Sequence, residues 1–150
     1  MPFKSTLLEI VLICFIILIF QPIFALAEQT YVFDRMWPTL QQPLYFNIPR
    51  DLAVGQNGNV YIADQNNHRV VVFTADGKLV TQWGGAGFGD GQFYQPSGID
   101  IADNGNVYVS TNGDPRVQVF TSDGRFLFKW GEQGTEQGQF DWGLTGLAIG

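Results

Sequence analysis

Two hydrophobic patterns divide the chain. Residues 7–27 form an apolar stretch that includes eleven consecutive apolar residues, Ile10 to Phe20. From residue 46 onward the apolar residues come in short runs of Val, Ile, Tyr and Phe, separated by Asn-Gly and Asp-Gly pairs. Such runs suit buried strands, and these pairs supply the positive φ of tight hairpins. The pattern predicts an all-β region after residue 27, where no 3.6-residue periodicity indicates a helix.

The N-terminal apolar stretch has the features of an export signal. Lys4 precedes it, and Ala25-Leu26-Ala27 places small residues where signal peptidase reads them. We therefore predict a signal helix within residues 1–27, cleavage before Glu28, and a secreted, periplasmic or cell-envelope protein. The alternative is an uncleaved anchor, since 21 residues at about 1.5 Å each span a hydrocarbon layer about 30 Å thick. If the segment is not cleaved, it is the part of the chain predicted to contact a membrane.

The rest of the chain contains an internal repeat of 47 residues. Residues 46–92 align with residues 93–139 without a gap, and 19 of the 47 aligned pairs are identical. Four short strands are predicted in each unit, at 52–54, 60–63, 70–73 and 78–83, and at 99–102, 107–110, 117–120 and 125–130. Four antiparallel strands repeating every 40 to 50 residues or so are typical of β-propeller blades.

Motifs within the repeat resemble a known family. Asn-Gly-Asn-Val-Tyr at 57–61, Asn67-His68-Arg69, Trp83-Gly84 and Gly-Gln-Phe at 91–93 follow the order of the NHL repeat, whose name records an Asn-His-Leu-type triplet. The second unit departs from it with Asp114-Pro115-Arg116 at the triplet. The resemblance covers about residues 31–150 and implies a propeller that has six blades when complete.

The predicted organisation follows the repeat. It comprises a signal peptide or anchor at 1–27, an N-terminal strand and linker at 28–48, repeat 1 at 49–92, repeat 2 at 93–139, and the start of a truncated third repeat at 140–150. Because two blades cannot close a ring, we expect the chain to be a fragment of a longer reading frame. The resemblance implies that Tyr31 to Trp37 is a strand that completes the last blade.

Metal chemistry is weakly indicated. His68 is the only histidine, and Cys14, the only cysteine, lies within the predicted signal. A zinc site needs three or four ligands, so His68 is a weak candidate that would need further blades. The run from Asp103 to Asn106 lacks the distal glutamate of an EF-hand and is better interpreted as a hairpin turn. No cofactor is predicted for this chain, although zinc or calcium is compatible with a full-length protein.

The repeat signature is interpreted as structural. Arg69 and Arg116 recur at the start of the third strand, where a guanidinium can tie together loop carbonyls or an aspartate such as Asp64. Trp83 and Trp130 recur at the end of the fourth strand and are predicted to pack blade against blade. Asn67 and His68 complete the predicted signature, and no catalytic residue is predicted.

The charge of the chain and the motifs that it lacks reduce the number of function classes to consider. A net charge of −6 disfavours nucleic acid, whose backbone attracts clustered cations. The first hypothesis is an exported, non-catalytic propeller that binds a protein, peptide or glycan. The alternative, implied by resemblance to peptidyl-hydroxyglycine lyases, is a zinc-dependent propeller enzyme in which His68 supplies one ligand. A third, weaker hypothesis, an RNA-binding or ubiquitin-ligase propeller, is opposed by the acidic charge, by the export signal and by the absence of a RING-type cysteine pattern.

Overall fold

A computed structural model describes residues 45–149 of the chain. The predicted signal peptide and the predicted strand from Tyr31 to Trp37 lie outside the described residues. Within the described range, no helix is both long and apolar enough to cross a membrane.

The described residues form two four-stranded antiparallel sheets, which confirms the all-β prediction. Neighbouring strands within each sheet follow chain order, as in a meander. The only helical element in residues 45–149 is a single 3-10 turn at Gln65–Asn67. The strands of the first sheet are β1 (Pro49–Val54), β2 (Val60–Asp64), β3 (Arg69–Phe73) and β4 (Leu79–Gly84), and those of the second are β5 (Pro96–Ile101), β6 (Val107–Thr111), β7 (Val117–Phe120) and β8 (Phe126–Trp130).

The first strand of each sheet is longer than predicted. It begins at Pro49 in one sheet and at Pro96 in the other, three residues before the predicted starts. Pro49 pairs with Asp64 and Pro96 with Thr111, each across a register shift. Proline is compatible with the first residue of a strand, where its missing N–H breaks no ladder. The short apolar runs therefore located the second halves of these strands and missed their first three residues.

The two sheets bury a shared apolar core. Side chains from β2 and β3, including Tyr61 and Val72, pack with side chains from β6 and β7, including Val109 and Phe120. Phe120 is fully buried, and its ring contacts those of Trp83 and two further phenylalanines. β1 also contacts β5. Each sheet thus covers one face of the other, as expected for adjacent blades of a propeller.

The connection after each sheet repeats the same geometry. Ala86 bridges Phe93 and, 47 residues later, Gln133 bridges Phe140, both in parallel orientation. A glutamine side chain closes each loop by accepting a backbone N–H at 3.1 Å, with Gln92 bound to Gly89 and Gln139 to Glu136. The second connection carries the chain into residues 143–149, which form no strand and contact the second sheet through scattered hydrogen bonds, such as Ile149 N–H to Asp100 at 2.7 Å.

The β3–β4 and β7–β8 hairpins share a threonine and aspartate turn. Thr74 donates to Asp76 at 2.5 Å, and Thr121 donates to Asp123. Hydrogen bonds from Lys78 and Thr74 lower the pKa of Asp76 to about 2. A hydrogen bond from Thr121 lowers the pKa of Asp123 in the same way. These turns lie at the end that we call the hairpin end, defined by residues 55–59, 74–78, 102–106 and 121–125.

Candidate binding face at the linker end

The opposite end of the sheets contains the inter-blade linker and the loops that carry the predicted signature residues. We call it the linker end, defined by residues 45–48, the β2–β3 loop at 65–68, the inter-blade linker at 85–95 and the β6–β7 loop at 112–116. These segments come from both blades and from the connection between them. All six predicted signature residues belong to this end or to the strands that lead into it.

Arg116 fastens the linker to the second blade. Its side chain is almost fully buried, and it donates to the carbonyl oxygens of Phe88 at 2.5 Å, Gly89 at 2.9 Å and Gln92 at 3.1 Å. Arg116 Nη1 also lies 3.0 Å from a carboxylate oxygen of Asp114. A planar guanidinium suits this task because its donors are held in a rigid fork.

Arg69 occupies the matching position in the first blade. Its Nε donates to the buried Asp64 at 2.9 Å, and a terminal nitrogen donates to the Tyr45 carbonyl at 3.2 Å. Tyr45 and Gln92, whose carbonyls receive these matching bonds, are themselves 47 residues apart. Asn67 adds donors to Asp64 at 2.8 Å and to the Tyr45 carbonyl at 3.0 Å. In each blade, the recurring arginine therefore fastens the blade to the segment that precedes it.

Trp83 lies at the boundary between the two blades, and Trp130 lies at the matching position of the second blade. Trp83 contacts Tyr61 of its own blade, at a ring distance of 6.3 Å, and Phe120 of the next blade at 5.8 Å. A Cβ added at Gly124 would lie 2.6 Å from the Trp83 ring, so this turn approaches the tryptophan closely. Trp130 contacts Phe140 at 5.9 Å and is 46% exposed.

His68 is held in one orientation by the backbone. The residue ends the 3-10 turn with φ 55°, and its Nδ1 accepts the Gln95 N–H at 3.2 Å. Because Nδ1 uses its lone pair on this bond, the ring hydrogen of the neutral imidazole lies on Nε2. Nε2 has no protein partner among residues 45–149.

This arrangement does not fit a zinc ligand. A histidine that binds zinc offers a lone pair to the metal and donates the N–H of its other ring nitrogen. In His68 the lone pair on Nδ1 is already used, and Nε2 carries the hydrogen. No group of three or more His, Cys, Asp or Glu side chains within residues 45–149 is arranged to hold a metal ion.

The structure also reveals two site residues that the sequence interpretation missed. The His68 ring stacks on Tyr94, with ring centres 5.6 Å apart and planes 14° from parallel. Phe88 lies on Tyr94 at 5.3 Å and 31°. Tyr94 is 41% exposed and Phe88 is 61% exposed. We call these three side chains the aromatic platform.

A signal for the platform was present in the repeat. The residues 47 positions from Phe88 are Gln41 and Thr135, and those from Tyr94 are Asn47 and Asp141. His68 corresponds to Pro115. The three aromatic residues thus stand at positions where the repeat units differ. The sequence interpretation concentrated on residues that recur, and those residues hold the blades together.

Shallow depressions occur at both ends of the described sheets. One of about 250 Å³ lies at the linker end and is lined by Asn67, Arg69, Gln82 and Trp83, together with Gly84 and Gly85. The other, of about 320 Å³, lies at the hairpin end and is lined mainly by residues 101–104. Both are at or below the lower range of pockets for drug-sized ligands, about 300–1,000 Å³.

Comparison with known proteins agrees with this architecture of repeated four-stranded blades. Residues 46–73 match the family model of the NHL repeat. A 53-residue stretch, 35% of the chain, is 45% identical to the RING finger protein nhl-1 of Caenorhabditis elegans, and the chain spans 5% of the length of that protein. Residues 46–73 are therefore an NHL repeat, which confirms the resemblance inferred from the motifs.

Two solved structures resemble the chain at low sequence identity. A protein from Bacteroides fragilis, inferred to be exported, superposes with a TM-score of 0.52 and 21% identity over 60% of this chain and 26% of its own. A protein of unknown function from Bacteroides caccae covers 60% of this chain and 31% of its own, with a TM-score of 0.45 and 18% identity. The first of these likenesses supports the blade architecture alone.

Proposed function

We propose that this chain is part of an exported NHL-type β-propeller that acts as a binding module, with its ligand face at the linker end. The observation that carries the proposal is the aromatic platform, since exposed aromatic surface on rigidly held loops favours ligand contact. Protein, peptide and glycan ligands fit such a face. The net charge of −6 leaves nucleic acid outside the proposal.

The ring is proposed to close through the N-terminal segment. Tyr45 receives the Arg69 bond in the same way that Gln92 receives the Arg116 bond. Residues before 46 would therefore occupy the place of an inter-blade linker, with Tyr31 to Trp37 as the outer strand of another blade. A ring of six blades is the expected complete form, and cleavage before Glu28 remains the prediction for export.

A catalytic function gains no support from the site. The enzyme hypothesis depended on His68 as a zinc ligand, and the bond from the Gln95 N–H to its Nδ1 disagrees with that role. The donors of Arg116 and Asn67 are directed at backbone carbonyls and at Asp64. We therefore propose binding without chemistry.

Hydrogen exchange tests which end of the molecule binds. The full chain is screened against peptide and glycan arrays, and amide exchange is then compared with and without the strongest hit. We expect slower exchange in residues 85–95 and 112–116, because a ligand on the linker end orders these loops and shields their N–H groups. Residues 55–59 and 102–106 at the hairpin end serve as the internal control and should be unchanged. Protection confined to the hairpin end, or the absence of any hit, would refute the proposal.

A further inference from the structure

The aromatic platform is built from two segments that are distant along the chain and is supported by a third. His68 belongs to the β2–β3 loop, Phe88 and Tyr94 belong to the linker, and the β6–β7 loop supports them from the second blade. The Gly113 N–H donates to the Tyr94 carbonyl at 3.2 Å, and the Asn112 N–H donates to the Gln95 carbonyl at 2.9 Å. Gly113 also lies so close to the Tyr94 ring that a Cβ would not fit there. The rings are therefore held by both blades.

The segments that carry and support the platform are rich in amides and hold no unpaired charge. The three segments at 65–68, 85–95 and 112–116 contain three charged residues, Asp90, Asp114 and Arg116. Asp90 pairs with Lys129 at 2.6 Å, and Asp114 pairs with Arg116 at 3.0 Å. The same segments contain six amide side chains, on Gln65, Asn66, Asn67, Gln92, Gln95 and Asn112. Amides offer both donors and acceptors, as a ligand rich in hydroxyl groups requires.

Ring geometry argues against one other ligand class, and charge argues against a second. A cage for an ammonium group needs aromatic walls at steep angles, whereas these rings lie within 14° and 31° of their neighbours. A nucleobase stacks on aromatic rings, but nucleic-acid grooves add cations along the backbone. The one cation of the three segments, Arg116, is buried and bound to linker carbonyls. What remains is an uncharged ligand with an apolar face and a polar edge.

We propose that the aromatic platform binds an uncharged saccharide, an assignment that rests on the proposed binding function and specifies its ligand class. A sugar ring presents C–H groups on its faces and hydroxyl groups around its edge. One face would pack on Phe88, which is 61% exposed, and on the part of Tyr94 that its stacked neighbours leave exposed, 41% of that residue. The edge would bond the Nε2–H of His68, which the Gln95 bond fixes as a donor, and the side-chain amides of Gln95 and Asn112 in the same segments. A peptide rich in proline would also pack on aromatic rings and is the competing class that the experiment separates.

The test is titration of the full chain with cellohexaose, maltohexaose and chitohexaose, and with a proline-rich peptide. Calorimetry is run on the native chain and on Phe88→Ala, Tyr94→Ala and Tyr94→Phe. At least one saccharide is expected to bind at millimolar concentration or below. Each alanine variant should weaken that binding about tenfold, ~1.4 kcal/mol, while Tyr94→Phe keeps the ring and should stay within about threefold of the native affinity. Phe88→Ala guards against misfolding because that ring is the most exposed of the three.

The outcomes separate the ligand class from the binding function. Saccharide binding that requires both rings supports the proposal. If the peptide binds through Phe88 and Tyr94 and no saccharide does, the saccharide assignment is wrong while the binding function stands. If a saccharide binds equally to the native chain and to both alanine variants, the platform is not its site. If neither the saccharides nor the peptide binds, the saccharide assignment is again refuted. The binding function is then tested separately, by hydrogen exchange with a ligand found on the arrays.

Discussion

Replacement of Phe120 with alanine is expected to lower the free energy of unfolding by about 3–5 kcal/mol, the usual cost of truncating a buried phenylalanine. The Phe120 ring has no exposed surface and lies at the centre of the contact between the two blades. Its neighbours are Trp83 at 5.8 Å, Phe93 at 5.5 Å and Phe126 at 5.9 Å. Two of these belong to the first blade and the linker, so the cavity would open at the interface itself. Urea unfolding of the full chain measures the loss.

Two variants make this result specific. Phe120→Leu retains most of the volume and should cost less than about 2 kcal/mol. Phe88→Ala removes an equally large ring from the surface and should change stability by about 0.5 kcal/mol or less. A loss below about 1 kcal/mol for Phe120→Ala would show that the two sheets do not share this core.

Arg116→Ala should destabilise the chain by about 3 kcal/mol, because it leaves three linker carbonyls without their donors and removes the buried member of a partly exposed ion pair. The carbonyls of Phe88, Gly89 and Gln92 would lose the guanidinium, and Asp114 would keep an uncompensated charge. Thermal unfolding measured at neutral pH reports the loss. Limited proteolysis should cut first within residues 85–95, the linker that Arg116 fastens.

Arg116→Lys is the matched control for the guanidinium fork. Lysine keeps the charge opposite Asp114 but lacks the planar set of donors that reaches three carbonyls. We expect it to recover less than half of the stability that alanine loses. Full recovery by lysine would mean that charge alone matters at this position, and an unchanged linker in Arg116→Ala would contradict the fastening role.

The recurring part of the fold could be predicted from the sequence because it depends on local patterns. Val70 to Phe73 and Val117 to Phe120 read as buried strands from their own residues, and the 47-residue period placed them in matching positions. The structure has strands at both places. The start of the first strand was missed because Pro49 and Pro96 disfavour strands in general, and only the pairing with Asp64 and Thr111 allows them here.

The aromatic platform could not be predicted because it depends on the tertiary arrangement. His68 and Tyr94 are 26 positions apart and meet only because the linker returns to the end of the β2–β3 loop. Two left-handed residues set that meeting, His68 at φ 55° and Gln95 at φ 63°. This conformation is uncommon outside glycine, and a glutamine gives no sequence signal for it. Phe88 and Tyr94 stand where the repeat units differ, but so do 28 of the 47 aligned positions, so the repeat alone neither selects them nor shows that their rings stack.

Both the packed blades and the platform between them can be examined in one NMR experiment on the full chain. Nuclear Overhauser contacts are expected between the rings of Trp83 and Phe120, which join the blades, and between those of His68 and Tyr94, which form the platform. The Tyr94 ring protons should also shift upfield, because stacked rings shield one another. If the contact between Trp83 and Phe120 is seen but that between His68 and Tyr94 is not, the blade packing stands and the proposed ligand face is wrong. If neither contact is seen, the blade arrangement itself is contradicted.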